Sequence, residues 1–262
     1  MTRTHTVRTR PDRPRELDPS RRQSLGVPLS VWLSEPLSGC CPTCHEPTAC
    51  AQRLPMELVR RVVEAFSRPG EVVFAPDAGN GHLLVAPARC GRKVLGLVRG
   101  SDHARHTQQQ LGDENAEVAS LAIVRNAPVP GAVASSVQRI AGRAALAIAA
   151  PHTPATSTDL SALTESCAQA LRPDGVLVVA TRQQPGQDRA GQLTVHAQAA
   201  GLVYLQHIVA VEATATDGHL TPPTTGADQD PSHGPHCRCH PTPAGAGRHA
   251  LVHNDLLVFT KP

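Results

Sequence analysis

The chain has 262 residues, of which 40% are hydrophobic and 2% aromatic, and its formal net charge is +3 at pH 7. This length suits one substantial domain with tails, and so small a net charge does not by itself indicate a nucleic-acid-binding protein. No apolar run approaches the roughly 20 residues of a membrane helix, and the N-terminus has no apolar stretch typical of a secretory signal. The composition therefore predicts a cytoplasmic protein without a membrane segment.

Residues 1–26 form an arginine-rich arm. The arm has seven arginines and three acidic residues, so it carries +4 and the rest of the chain is nearly neutral. Such an arm can bind the phosphates of DNA or RNA, and a solvated tail explains the same composition. Because it has too few apolar groups to offset the entropy of ordering, we predict that it is disordered. The sequence identifies no protein partner.

Two cysteine clusters flank the rest of the chain, which we interpret as a single domain over residues 27–262. Cys41 and Cys44 lie in a loop-rich lead-in, residues 27–53, and have the spacing of a metal knuckle. Cys237 and Cys239 lie in a segment rich in Thr, Pro, Gly and His, residues 214–249, for which we predict irregular structure. The four sulfurs would form a tetrahedral Zn²⁺ site if the two loops meet. The alternative is exposed thiols in loops, because the pairs are much farther apart than in zinc fingers.

Helical and strand patterns alternate between the two cysteine clusters. Apolar residues at helical spacing predict one helix that ends at Pro69–Gly70, and later helices over residues 82–90, from Asp159 as the capping residue to Leu171, and over 193–200. Continuous apolar runs predict strands at 71–75, 93–98, 118–124, 144–150, 176–181, 203–211 and 251–259. Apolar strands that alternate with helices are typical of a doubly wound α/β fold, in which helices cover both faces of a parallel sheet.

A glycine-containing turn, Pro76-Asp-Ala-Gly-Asn-Gly81, follows the first of these strands and opens the helix at residue 82. Glycines let the backbone approach a ligand, and a helix N-terminus offers free N–H groups. The turn is not a dinucleotide fingerprint, because the third glycine is missing and no acidic residue ends the next strand. Nor is it a phosphate-binding P-loop, because no Gly-Lys-Ser/Thr follows. A purely structural turn remains the alternative.

The stretch around this turn, RPGEVVFAPDAGNGHLLVAPARCGRKVLGLV, resembles the first motif of the S-adenosylmethionine-dependent methyltransferases that modify amino groups in DNA and RNA. The residues that keep the frame of the motif are Pro76, Gly79, Gly81, Gly91, Arg92 and Gly96. Three further phrases, PLSVW, LRPDGVLVV and VHNDLLVFTKP, are similar to segments of a subgroup of DNA methylases. The resemblance implies a Rossmann-like class I methyltransferase fold, with about seven mostly parallel strands and an antiparallel last strand.

The resemblance also implies a cofactor site and a target site. The cofactor, S-adenosyl-L-methionine, would lie against Ala75, Pro76, Asp77, Gly79, Asn80, Gly81 and Val98. The target amine would lie against Ala150, Pro151, His152 and Thr153. The reaction that the resemblance implies is methyl transfer to an exocyclic amine of a base.

The chain departs from the family at four of these positions. Ala75 replaces an aspartate, and Val98 replaces the carboxylate that binds the ribose hydroxyls. In the target motif Ala150 replaces the first polar residue and Thr153 the tyrosine that stacks on the flipped base, so that His152 is the remaining ring.

These departures predict an impaired enzyme that binds its cofactor weakly, with a dissociation constant no tighter than ~100 μM. The resemblance further implies that Ala75→Asp and Val98→Glu would tighten binding. Three alternatives remain open: a non-catalytic protein of this fold that binds or scaffolds a partner, a zinc-dependent binding module, and a Rossmann-like domain of another kind.

Overall fold

A computed structural model describes residues 29–35, 54–78, 81–127, 130–151, 156–182, 188–216, 219–221 and 253–262. The arm at residues 1–26 and the four cysteines of the predicted zinc site, Cys41, Cys44, Cys237 and Cys239, lie outside these residues. So does most of the segment 214–249. The predictions of disorder in the arm and of zinc binding therefore remain predictions.

Strands and helices alternate through the described part of the chain. The strands are β1 (Leu29–Ser34), β2 (Val72–Ala75), β3 (Lys93–Val98), β4 (Ala122–Asn126), β5 (Ala144–Ala149), β6 (Leu171–Thr181), β7 (Val203–Glu212), β8 (Thr214–Thr216), β9 (His219–Thr221) and β10 (His253–Thr260). The helices are α1 (Met56–Phe66), α2 (His82–Arg89), α3 (Ser101–Gly112), α4 (Ala116–Ser120), α5 (Pro130–Gln138), α6 (Ser157–Ala170) and α7 (Arg189–Ala199).

Eight of these strands form one sheet in the order β1-β7-β10-β6-β5-β2-β3-β4. Only β10 is antiparallel to its neighbours, β6 and β7, and every other pairing in this sheet is parallel. The predicted α/β sheet with an antiparallel last strand is therefore confirmed. The strand order reverses between β2 and β5, and the carboxyl ends of parallel strands at such a switch point are where ligands bind in open α/β sheets.

Helices cover both faces of the sheet, each over its own hydrophobic core. On one face α1 and α2 contribute Leu58, Val62 and Leu84. On the other, α6 and α7 contribute Leu160 and Leu193, which pack with the fully buried rings of Phe74 and Phe259. Because aromatic residues are scarce, most of both cores is Ala, Val and Leu, as the composition predicts.

Two predicted boundaries are wrong for local reasons. Residues 118–120, predicted as the start of the strand 118–124, belong to α4, because the side chain of Asn115 caps this helix by accepting a hydrogen bond from the Val118 N–H. Asp159 is not the capping residue of α6. That residue is Thr156, and Asp159 is the third helical residue, completing a reciprocal capping box with it.

The sequence interpretation also missed strands. Within the predicted loop-rich lead-in, β1 pairs in parallel with β7, and the guanidinium of Arg61 on α1 lies 4.8 Å from the ring centroid of Trp32 on β1. Within the segment predicted to be irregular, β8 and β9 form a short antiparallel hairpin. Strand β6 begins at Leu171, before the strand start predicted at residue 176.

Replacing Asp174 with glycine is expected to raise the free energy of unfolding by about 0.5 kcal/mol, because Asp174 has a left-handed backbone, with φ of 59°. Urea denaturation at an unchanged m-value measures the effect. The matched control is Asp113→Gly, since Asp113 has a right-handed backbone with φ of −76° and gains nothing from glycine. Equal destabilisation by both substitutions would contradict the strain at Asp174.

Candidate functional site

The turn after β2 lies at the switch point and is held by backbone hydrogen bonds. The Ala78 N–H donates to the Leu97 carbonyl at 2.8 Å, which ties the turn to β3. The Gly81 N–H donates to the Ala78 carbonyl at 2.9 Å, and the Gly81 carbonyl then accepts the first hydrogen bonds of α2. The sequence prediction of a strand, turn and helix at this place is thus confirmed.

Gly81 is the N-cap residue of α2, and its backbone conformation and packing both favour glycine. Its φ of 82° is in the left-handed region, and a Cβ built on it would collide with the side-chain oxygen of Gln110 on α3. Gly96 on β3 is similar, because a Cβ there would collide with Leu84 on α2. The glycine frame that the sequence shares with methyltransferases is therefore consistent with a ligand site but does not require one.

The strand ends around the turn are apolar and closed. Ala75 and Val98 are 0% exposed, and Ala150 is 9% exposed. The Val98 carbonyl accepts a hydrogen bond from the Ala127 N–H at 2.9 Å, and both Ala75 and Val98 belong to the core beneath α1 and α2. The structure thus places three residues of the predicted sites at the expected edge of the sheet, but none of the three offers a polar side chain.

The remaining predicted site residues fall into two groups. Pro76 and Pro151 are buried beside the strand ends, and Asp77 is the buried carboxylate of the turn. Gly79, Asn80, His152 and Thr153 lie outside the described residues, so their predicted roles stay untested.

A charged rim lies above the apolar strand ends. Arg99, directly after β3, lies 3.8 Å from Asp159 at the start of α6, and both side chains are about half exposed. Hydrogen bonds from Thr156, first through its hydroxyl and then through its backbone N–H, hold the pKa of Asp159 below its usual value. The Arg99–Asp159 contact spans β2, which lies between β3 and β5, so this pair borders the switch point. At this exposure such a pair contributes little to stability, about 0–1 kcal/mol.

A buried polar network occupies the other half of the carboxyl edge, and the sequence interpretation missed it. Arg182, after β6, donates from Nε to Asn254 Oδ1 at 3.0 Å and from Nη2 to Glu212, the last residue of β7. Asn254, on β10, donates to Glu212 Oε1 at 2.8 Å. The signal available in the sequence was a polar residue at the end of each apolar run, although sequence spacing could not show that the three meet.

His207 lies on the opposite face of β7 and contacts the buried Asp255, with 2.8 Å between His207 Nε2 and Asp255 Oδ1. His253 Nε2 is 3.9 Å from the same oxygen. This contact gives His207 a hydrogen-bond partner within the sheet. Burial, followed by the charge of Asp255, raises the pKa of the Tyr204 hydroxyl on the same strand.

In the part of the chain that the structure describes, no three side chains of the His, Cys, Asp or Glu type are grouped so that they could hold a metal ion. The described cysteines are Cys90, half-buried after α2, and Cys167, fully buried in α6, and burial raises the pKa of both thiols. Among the described helices, none is long and apolar enough to cross a membrane.

Comparisons with known proteins give matches only at the level of structure. No protein-family model matches the chain, and no curated protein matches it. A precorrin-6y C5,15-methyltransferase from Geobacter metallireducens GS-15 superposes with a TM-score of 0.55 and 10% identity, over 80% of this chain and 91% of that one. A geranyl diphosphate methyltransferase in complex with GPP and sinefungin superposes with a TM-score of 0.52 and 15% identity, over 80% of this chain and 78% of that one.

The [4+2]-cyclase SpnF also superposes, with a TM-score of 0.50 and 15% identity, over 79% of this chain and 80% of that one. At such identities the likeness concerns the fold, and a cyclase among the neighbours illustrates that one fold hosts more than one reaction. The strand order, the antiparallel β10 and these superpositions agree. The chain has the Rossmann-like fold of the class I S-adenosylmethionine-dependent methyltransferases.

Proposed function

We propose that this protein is a methyltransferase-like protein that binds S-adenosylmethionine and is related to the enzymes that methylate amino groups in DNA and RNA, with impaired catalysis. The observation that carries the proposal is the glycine turn, which opens α2 at the switch point of the sheet, where this fold binds its ligands. The relation to nucleic-acid methyltransferases is supported by the sequence motifs alone.

The residues of the turn fit an adenosine-containing cofactor in part. Residues 76–78 and Gly81 provide backbone groups at a helix N-terminus, and two residues of α3 beside Gly81, Thr107 and Gln110, have buried side-chain oxygens without a hydrogen-bond partner among the described residues. When bound, the cofactor supplies an activated methyl group. The chain's own task is to orient that group toward an amine, and amine methylation depends mainly on such positioning.

Catalysis is impaired in this proposal because the groups that would position the amine are apolar. Ala150 and Pro151 follow β5 beside the turn and offer no side-chain hydrogen bond. DNA or RNA would be held by the arginine-rich arm, residues 1–26, and His152 would provide the ring against which a base stacks. A cytoplasmic location and the zinc site at the four cysteines remain further parts of the proposal.

Wild-type protein is expected to bind S-adenosylmethionine with a dissociation constant of about 100 μM or weaker, by calorimetry. It is expected to transfer labelled methyl to duplex DNA or RNA very slowly or undetectably. Gly81→Ala is expected to weaken binding, because the new methyl group displaces the Gln110 side chain from the turn and strains the left-handed backbone of Gly81.

The matched control is Gly201→Ala. Gly201 has a similar φ of 85° but open space where a Cβ would be, so the substitution causes the same backbone strain away from the turn and should leave binding intact. No binding by the wild-type protein at millimolar cofactor would contradict the proposed cofactor. Rapid methyl transfer would contradict the proposed impairment.

A second candidate function is a non-catalytic binding or scaffold protein. The observation that favours it is the apolar character of three strand ends together, at Ala75, Val98 and Ala150. Cofactor binding discriminates the two functions, because a scaffold whose strand ends are closed binds no S-adenosylmethionine, whereas the methyltransferase-like protein binds it weakly.

A further inference from the structure

Two residues of α3 that adjoin the glycine turn have buried side-chain oxygens. Thr107 is fully buried, and neither its Oγ1 nor the Oε1 of Gln110 has a hydrogen-bond partner among the residues that the structure describes. Gln110 Oε1 occupies the space that a Cβ on Gly81 would fill, and Thr107 Cγ2 lies 3.6 Å from that position. Buried polar atoms are rarely left without a hydrogen-bond partner. An unpartnered buried oxygen therefore indicates a place where a ligand, ion or water binds.

The amide of Gln110 is oriented by a neighbour on the same helix. Its Nε2 lies 3.1 Å from His106 Nε2, one helical turn earlier. When His106 Nε2 is the unprotonated ring nitrogen, it accepts a hydrogen bond from the Gln110 amide, and the amide oxygen then faces Gly81. The turn is therefore bordered by an acceptor whose direction is set by the protein itself.

The family to which we relate the chain uses a carboxylate at the end of β3 to accept the ribose hydroxyls of the cofactor. Here that position is Val98, which is fully buried in the core. The unpaired acceptor on α3 is an observation of this structure, and the need for a ribose acceptor follows from the proposed function. Together they indicate that the ribose is bound by α3 instead of by the end of β3.

We infer that Gln110, assisted by Thr107, accepts hydrogen bonds from the ribose hydroxyls of an adenosine-containing ligand, in place of the missing carboxylate at position 98. This inference rests on the proposed function. A neutral amide oxygen forms a weaker hydrogen bond than a carboxylate, so the substitution is consistent with weak cofactor binding.

The test compares adenosine with 2′,3′-dideoxyadenosine, which lacks both hydroxyls, by ligand-detected NMR titration. Wild-type protein is expected to bind adenosine about fivefold more tightly. In Gln110→Met, which keeps the length of the side chain but has no acceptor oxygen, the two nucleosides should bind within twofold of each other. Thr107→Val, which replaces the hydroxyl with a methyl group, should reduce the difference in affinity between the two nucleosides without removing it.

The matched control is Gln109→Met, the same change at an exposed position one residue earlier on α3, and it should keep the wild-type difference. Thermal unfolding of each variant checks that the fold is retained. A fivefold difference that persists in Gln110→Met would overturn the inference while leaving the proposed function intact. Equal binding of both nucleosides by the wild-type protein would also overturn it. If S-adenosylmethionine and adenosine both fail to bind the wild-type protein, the proposed function and the inference fall together.

Discussion

Replacing Arg182 with alanine is expected to lower the free energy of unfolding by about 3–5 kcal/mol, which is a large part of the stability of an ordinary domain. Glu212 is 6% exposed, and Arg182 is its cationic partner in the described structure. Without the guanidinium, Glu212 keeps its hydrogen bond from Asn254 but remains a buried carboxylate without a counter-charge. Urea denaturation of the wild-type and variant proteins measures the loss.

Two controls distinguish the cost of leaving a buried carboxylate unpaired from the cost of removing an arginine. Arg89→Ala removes a salt bridge to Glu114 at 2.6 Å, but Arg89 is 55% exposed, so the expected cost is less than 1 kcal/mol. The double variant Arg182→Met/Glu212→Gln removes both charges and is expected to recover most of the stability that Arg182→Ala loses. Similar costs for Arg182→Ala and Arg89→Ala would contradict the importance of the buried network.

The fold could be predicted because the apolar runs are long and continuous. Strands such as β3 and β5 are buried along nearly their whole length, so that side chains on both faces are apolar and the pattern is visible without homologues. The antiparallel β10 followed from the resemblance of the C-terminal phrase to DNA methylases, since periodicity carries no information on strand direction.

The predicted boundaries are wrong where a single side chain, and not the apolar pattern of the segment, determines the local structure. Asn115 turns an apolar segment into α4 by capping it, and Thr156 takes the capping position that its neighbour Asp159 was expected to hold. The edge strand β1 was missed because its burial alternates and proline residues precede and follow it in the sequence. Boundary errors of this kind leave the sheet order unaffected.

The sequence predicted where the candidate site residues lie in the fold, but not which side chains surround them. The residues at the ends of β2, β3 and β5 lie together, because the carboxyl ends of parallel strands meet at one edge. The contacts that complete the edge join residues far apart in the chain, such as Arg182 with Asn254, and Gln110 with Gly81. Only tertiary packing brings such pairs together, and no spacing rule anticipates them.

The family resemblance implies that Val98→Glu and Ala75→Asp would restore the cofactor site, but the structure predicts a different result. Val98→Glu is expected to destabilise the protein by roughly 3 kcal/mol or more, rather than to tighten binding. Val98 is 0% exposed and packs in the core beneath α1 and α2, so the new carboxylate would be buried without a cationic partner and the longer side chain would overpack the core. Ala75→Asp places a carboxylate in the same core and should behave similarly.

The control for Val98→Glu is Arg99→Glu, one residue farther along the chain. Arg99 is 56% exposed, so the same carboxylate there should change the free energy of unfolding by less than about 1 kcal/mol, despite the loss of the Asp159 contact. Unfolding by urea and calorimetric titration with S-adenosylmethionine on both variants complete the comparison. If Val98→Glu were as stable as Arg99→Glu and bound the cofactor more tightly than the wild-type protein, the end of β3 would have to open toward the ligand, as in the family. The ribose would then be held at the strand end, and Gln110 would have only a packing role against Gly81.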